Sequence, residues 1–239
     1  MSVSDRYRTA WDGFWEQSSG EPGEPFWDAD PALTAQRDLA HLTPHADDSL
    51  PVADLGCGNG TQTRYLATRF PAAVGVDLSA AAVAHARRAD PAEVASYEQV
   101  NLADPVQTGA LHDRLGDTNV YMRAVLHQSD PEDRPAVAAA VARLVGTRGR
   151  ALVLEPTGEA KTVIAELAAQ PGGPSPKLRR VKENDLRPGE VAEGEVADLL
   201  RAAGLTVLAE GSTALAMSED GPDGAPVRLP ARWFVAGRP

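Results

Sequence analysis

Cysteine is nearly absent from this chain, since Cys57 is the single example among 239 residues. One cysteine cannot close an internal disulfide, so a disulfide-stabilised scaffold is excluded. The sequence also lacks an apolar run long enough to span a membrane, and its first residues show no basic-then-apolar secretion signal. We therefore expect a soluble, cytoplasmic protein without a membrane partner.

Basic residues are the second shortage, with 23 Lys and Arg against 34 Asp and Glu and a formal net charge of −11. Binding along a nucleic-acid backbone requires a basic face, so we expect no nucleic-acid partner. A paired-cysteine metal centre is excluded as well, and we predict no metal site. Hydrophobic residues make up 43% of the chain, which is enough for one well-buried core.

The most informative stretch is VADLGCGNGTQT. Val52–Leu55 is predicted to form a short buried strand, and residues 61–70 are predicted to form a helix. Gly56, Gly58 and Gly60 lie between them, where the absence of side chains leaves backbone N–H groups open to a polar ligand. The spacing differs from the dinucleotide fingerprint G-x-G-x-x-G, and the lysine of a phosphate-binding Walker loop is missing.

After this loop, short apolar segments alternate with helical patterns, which predicts a parallel sheet covered by helices on both faces. Residues 205–217 and 227–235 surround a Gly-Pro-Asp-Gly turn and predict a terminal antiparallel hairpin. Residues 171–190 show no regular pattern and are predicted to be irregular. The expected fold class is therefore α/β, with a doubly wound, mostly parallel sheet and a C-terminal hairpin. The parallel strands after the first are predicted at 73–77, 96–102, 120–126 and 150–154.

The motif DLGCGNG resembles the first motif of class I S-adenosylmethionine (SAM)-dependent methyltransferases. The resemblance extends over residues 50–236 and implies SAM as the cofactor, with Asp54, Gly56 and Gly58 at its binding site. Asp77 ends the second predicted strand, where a carboxylate can accept hydrogen bonds from both ribose hydroxyls of an adenosine ligand. The alternative role for Asp77 is a stabilising charge at the following helix N-terminus.

The adenine end of the predicted cofactor site involves the second and third strands. Leu78 is expected to lie against the adenine ring. Methyltransferases of this type place an acidic residue near the adenine edge, and here Asn101 and Asp104 compete for that role, beside Leu102. Asp104 has the alternative role of capping the next helix.

The stretch YMRAVLHQSDPEDR resembles the fourth-strand motif of small-molecule O-methyltransferases, in which a histidine is the catalytic base. The resemblance implies that Arg123 lines the methionine moiety, that His127 is the base and that Glu155 is the carboxylate beside it. His127 as a structural residue is the alternative.

Aromatic residues are concentrated near the N-terminus. Two interpretations remain open: the aromatic helix face packs on the core, or it closes over a ligand as a lid. We predict a helical lid segment at residues 1–50 and a SAM-binding domain at residues 51–239. The lid residues expected at the acceptor are Tyr7, Trp11, Trp15 and Trp27.

A single basic cluster spans residues 177–182. It is interpreted either as a solvated loop or as a contact for an acidic substrate group.

These observations predict a SAM-dependent methyltransferase that acts on a small-molecule acceptor, with oxygen as the expected acceptor atom. Three alternatives stay open. They are a methyltransferase-like natural-product enzyme that binds SAM without methyl transfer, a nicotinamide reductase, which the glycine spacing opposes, and a non-catalytic binding partner. The sequence leaves the acceptor and the oligomeric state undetermined.

Overall fold

A seven-stranded sheet forms the centre of the protein, with the strand order β3-β2-β1-β4-β5-β7-β6. The computed structural model describes residues 3–184, 186, 189–221 and 223–238, with side chains from residue 7 onward. The first five strands pair in parallel, and β7 pairs antiparallel with both β5 and β6. The predicted fold class is confirmed. The strands are β1 Val52–Leu55, β2 Ala73–Asp77, β3 Ser96–Gln99, β4 Asn119–Arg123, β5 Ala151–Pro156, β6 Thr206–Asp220 and β7 Pro226–Gly237.

Helices cover both faces of this sheet. Successive residues of β4 point to opposite faces of the sheet. Met122 belongs to the apolar core that includes residues of α5, α6 and α9, whereas Tyr121 belongs to the core that includes residues of α2, α3 and α8. Within the described residues, no helix is long and apolar enough to cross a membrane. The helices are α1 Val3–Glu16, α2 Ala35–Leu42, α3 Thr61–Leu66, α4 Ala80–Arg88, α5 Pro105–Leu115, α6 Arg134–Val145, α7 Glu159–Ala168, α8 Pro176–Glu183 and α9 Glu195–Ala202.

Four local predictions were wrong. Strand β3 ends at Gln99 rather than at residue 102, and helix α3 ends at Leu66 rather than at residue 70. The segment predicted to be irregular contains α8, whose first turn is capped by Ser175 through a 3.2 Å hydrogen bond from the Leu178 amide. Strand β4 ends at Arg123 rather than at residue 126, because Ala124 adopts a left-handed backbone with φ of 61°. The chain then turns into a short 3-10 helix, Leu126–Gln128.

Candidate active site

A cavity of about 530 Å³ lies at the carboxyl ends of the parallel strands. This is the edge at which open α/β sheets bind ligands. Gly56, Gly58 and Asp77 line it near β1 and β2, and Leu215 and Leu229 line it near the hairpin. All predicted cofactor, base and lid residues reach this cavity except Asp54 and Glu155, which do not line it.

Gly56 and Gly58 lie where the loop beside the cavity has no room for a side chain. A Cβ atom on Gly56 would lie 2.6 Å from Val125 Cγ2, and one on Gly58 would lie 3.0 Å from the Trp15 ring. Both glycines also have positive φ angles, 76° and 55°, which favour glycine. The loop therefore requires glycine for its conformation and for its close packing, and it exposes backbone to the cavity.

Asp77 shapes this loop while lining the cavity. Its carboxylate accepts hydrogen bonds from the Gly58 and Ser79 amides, each at 2.9 Å. Burial raises the pKa of Asp77 above its usual value, the two amides oppose that rise, and the Asp12 carboxylate adds to it. Ser79 is the N-cap of α4, since its hydroxyl accepts from the Ala82 amide. Asp77 is thus held at the cavity wall in a fixed orientation.

The third strand supplies the neighbouring wall. Leu78, Asn101 and Leu102 line the cavity. Asp104 does not, because its carboxylate accepts from the Val106 and Gln107 amides and caps α5. Of the two candidates for the adenine edge, the structure brings only Asn101 to the cavity.

Asp54 departs from the sequence-based expectation. It is 3% exposed and accepts a 2.6 Å hydrogen bond from the Thr63 hydroxyl, which ties β1 to α3. Burial raises its pKa to about 7, against the effect of that hydrogen bond. The side chain points into this buried pairing and does not line the cavity, and its contact with the cofactor stays a prediction.

Arg123 links three parts of the cavity wall. From the end of β4, its guanidinium donates to the Trp27 carbonyl at 3.2 Å and to the Ala216 carbonyl at 2.7 Å. Its Nε atom is buried and has no hydrogen-bond partner among the described residues. The side chain therefore brings a positive charge to the cavity and holds the N-terminal segment against β6.

His127 and Glu155 converge as the sequence predicted, with Nδ1 and Oε2 2.9 Å apart. Glu155 is 2% exposed and also accepts from the backbone amides of Val125, Leu126 and His127. A carboxylate at Nδ1 places the ring proton there, which leaves Nε2 as an acceptor. Nε2 lies 2.9 Å from the Gln128 side-chain amide nitrogen. No sequence pattern indicated this contact, or the hydrogen bonds by which Glu155 caps the turn at Val125, Leu126 and His127.

The N-terminal aromatic residues form part of the cavity wall. Tyr7, Trp11, Trp15 and Trp27 all line it, and Trp11 and Trp27 pack edge to face with centroids 5.3 Å apart. Three hydrogen bonds attach α1 to α4. Asp12 accepts from the Ser79 hydroxyl at 2.6 Å and from the Ala81 amide at 3.4 Å, and His85 Nε2 contacts the Trp15 carbonyl at 2.8 Å. The aromatic face is at once part of the packing and part of the cavity wall.

The basic cluster lies on helix α8 rather than on a loop, and only Arg179 and Lys182 of its four basic side chains are exposed. Lys177 donates to the carbonyls of Gly23 and Ser218, and Arg180 pairs with Glu24. These contacts fasten α8 to the N-terminal segment and to β6. Lys182 of the same helix lines the cavity.

Comparison with known proteins agrees with this geometry. The methyltransferase domain family Methyltransf_25 matches residues 52–149. The chain is similar to a trans-aconitate 2-methyltransferase from Azoarcus sp. (strain BH72), with 45% identity over 76 residues. That match spans 28% of this chain and only 30% of the relative.

Solved structures extend the similarity over the whole fold. A SAM-dependent methyltransferase from Anabaena variabilis superimposes with a TM-score of 0.88 at 27% identity, covering 100% of this chain and 96% of that one. A protein whose structure is described for conversion of a disulfide bond into a thioacetal group during echinomycin biosynthesis gives a TM-score of 0.69 at 21% identity. The match covers 97% of this chain and 92% of that protein, and at this identity it supports only the fold. The glycine loop, the sheet and these matches together identify the chain as a class I SAM-dependent methyltransferase, with SAM as its cofactor.

Proposed function

We propose that the protein transfers a methyl group from SAM to an oxygen atom of a small-molecule acceptor. The observation that carries this proposal is the His127–Glu155 pair at the cavity, with its 2.9 Å contact. When bound, SAM supplies an electrophilic methyl group. Gly58 and Asp77, with Asn101 beside them, are the residues that would hold it, since they combine open backbone with fixed polar groups.

The chemistry asked of His127 is removal of one proton. A phenol has a pKa of about 10, so its hydroxyl is protonated at neutral pH. It gains nucleophilicity when a base accepts the hydroxyl proton. Nε2 of His127 is the accepting atom, and Glu155 stabilises the resulting imidazolium through Nδ1. The acceptor hydroxyl would take the place that the Gln128 amide occupies beside Nε2.

The remaining task of the protein is positioning. Methyl transfer is an in-line displacement, so the acceptor, methyl group and sulfur must be aligned in a site from which water is excluded. In this proposal, residues 7–30 are a lid, and the indole rings of Trp11, Trp15 and Trp27 close the site. The boundary of the lid segment at residue 50 stays a prediction, although α2 itself packs in the core through Leu39 and Leu42.

His127→Ala tests the proposed base. With an acceptor found by screening phenols and carboxylic acids for S-adenosylhomocysteine formation, turnover is expected to fall at least about 10²-fold. SAM affinity is expected to stay unchanged, because His127 lies outside the proposed cofactor half. His112→Ala is the matched control, since His112 pairs with Asp117 and does not line the cavity.

Two results would contradict parts of this proposal. A loss below tenfold in His127→Ala would make His127 a packing residue, and transfer would then proceed by proximity alone. SAM binding without S-adenosylhomocysteine formation on any acceptor would favour an enzyme that retains the fold but not the methyl transfer.

A further inference from the structure

The cavity is chemically divided along the sheet. Strand order places the cofactor residues of β1 and β2 on one side of β4 and the hairpin strands β6 and β7 on the other. On the hairpin side the wall is apolar and well buried, with Leu178 at 5%, Leu215 at 2%, Met217 at 4% and Leu229 at 6% exposure. Ile164 of α7 extends this wall. A compact, highly charged acceptor would lose its hydration there without gaining partners.

Few cations reach the cavity to offset such a loss. Among the described residues, Arg123 and Lys182 are the lysine and arginine side chains that line it. The terminal nitrogens of Arg123 already donate to two backbone carbonyls. Asp130 and Asp133 also line the cavity and are both engaged with other protein groups. Trans-aconitate, the tricarboxylate in the name of the Azoarcus relative, would face three carboxylates, those of Asp77, Asp130 and Asp133, and two cations among the described lining residues.

Within the part of the chain that the structure describes, Lys182 is the cation available to an acceptor. It lies one helical turn after Leu178, so both side chains share one face of α8. Along that face Leu178 is buried, Val181 is half-buried and Lys182 is exposed, so the face runs from the cavity to solvent. Unlike the side chains of Lys177 and Arg180 on the same helix, the Lys182 ammonium forms no hydrogen bond or ion pair with the described residues.

We infer that the acceptor is an amphiphile, with an apolar body against the hairpin wall and one anionic group beside Lys182 at the cavity mouth. This inference rests on the proposed function, because it names the substrate class of the same site. One exposed ammonium suits one carboxylate at the rim, while Leu178, Leu215, Met217 and Leu229 suit a hydrocarbon or aryl body.

Calorimetric titration into the protein saturated with S-adenosylhomocysteine tests the inference without requiring turnover. The probes are para-hydroxyphenylhexanoate, its neutral primary amide and trans-aconitate. Both phenols are expected to bind more tightly than trans-aconitate. The carboxylate is expected to bind about two- to fivefold more tightly than the amide, the range of an exposed ion pair.

Matched variants assign that preference to one side chain. Lys182→Met is expected to abolish the difference between carboxylate and amide. Arg179→Met removes an equal charge from an exposed position of the same helix that does not line the cavity, and is expected to retain the difference. Met217→Gln is expected to weaken both phenols by a similar factor, since it places an amide in the apolar wall.

Four results would each overturn the inference. They are equal binding of the carboxylate and the amide, a preference for the carboxylate that survives in Lys182→Met, tighter binding of trans-aconitate than of the phenols, and no binding of either phenol. A separate assay of S-adenosylhomocysteine formation keeps the two proposals apart. Phenol binding with the expected preference but without methyl transfer to any acceptor refutes the proposed function and leaves the pocket assignment intact. Methyl transfer to trans-aconitate without phenol binding refutes the pocket assignment alone.

Discussion

Replacement of Glu155 by alanine tests how the turn that carries His127 is held in place. The Glu155 carboxylate accepts from the backbone amides of Val125, Leu126 and His127 at 2.9, 2.7 and 3.2 Å. It also accepts from His127 Nδ1 at 2.9 Å. The side chain is 2% exposed, so water cannot readily replace these contacts. We predict that Glu155 is a structural anchor as well as the partner of the proposed base.

The expected loss of stability follows from the three backbone amides. A buried donor that loses its acceptor costs about 1–3 kcal/mol. The Leu126 contact is buried and the other two are half-buried, so the three together imply about 3 kcal/mol. That is a large share of the roughly 5–15 kcal/mol that stabilises a typical domain. In a domain of this size, each kcal/mol corresponds to about 2–4 °C in Tm, so Tm should fall by at least about 6 °C.

The assay compares the unfolding free energy and Tm of three variants, measured by chemical and thermal unfolding. His127→Ala removes one of the four donors and leaves the backbone amides paired, so its expected cost is about 0.5–1.5 kcal/mol. Glu155→Gln retains an oxygen for Val125 and Leu126 but presents amide hydrogens to His127. Its loss should therefore fall between the other two.

The order of the three variants decides the matter. If Glu155→Ala loses less than about 1 kcal/mol, or no more than His127→Ala, the carboxylate does not hold the turn. The reasoning from unsatisfied amides would then be refuted, and Glu155 would be left with its contact to the imidazole alone.

Three further predictions concern the cofactor, pH and the lid. Asp77→Ala should weaken S-adenosylhomocysteine binding at least about 10²-fold by calorimetry, because two charge-assisted hydrogen bonds are lost, whereas Asp104→Ala should not. Unchanged affinity in Asp77→Ala would show that the site is misplaced. Burial acts to raise the pKa of Glu24, but hydrogen bonds from two serines and Arg180 lower it from 4.5 to about 2. The stability that Glu24 contributes is therefore present above about pH 4.5 and lost as pH falls towards 2. In urea unfolding, Glu24→Gln should flatten this pH dependence of the unfolding free energy. Parallel pH profiles for the wild type and Glu24→Gln would contradict the prediction. Amide hydrogen exchange in residues 7–30 should slow when S-adenosylhomocysteine and acceptor bind, and equal exchange would count against a lid.

Local sequence patterns were sufficient for the framework of this protein. Glycines at positions 56 and 58 predict a turn with no room for side chains. The structure gives the reason, since both residues have positive φ angles and lie close to Val125 and Trp15. Alternating strands and helices imply a parallel sheet, whose strands all end at one edge. The meeting of His127 with Glu155 follows from that rule, because each residue lies at or just after the end of an adjacent strand.

Helix α8 shows where weak local signals mislead. Ser175 and Pro176 form a helix start, but the surrounding Gly-Pro-rich stretch favours an irregular segment. The helix is held by tertiary contacts: Leu178 is buried in the core, and Lys177 reaches backbone carbonyls of the N-terminal segment and β6. Packing of this kind outweighs modest propensities.

The tertiary structure alone decided which side chains face the cavity. Asp54 turns to Thr63 rather than to the cavity, Arg123 donates to a carbonyl 93 residues away in sequence, and Lys182 is left without a partner among the described residues. A sequence pattern reports on neighbours within a strand or a helical turn, since those spacings repeat along the chain. Contacts between distant segments have no such period. They depend on how the elements pack, and such packing brings residues of α7, α8, β6 and β7 together on the hairpin side of the cavity.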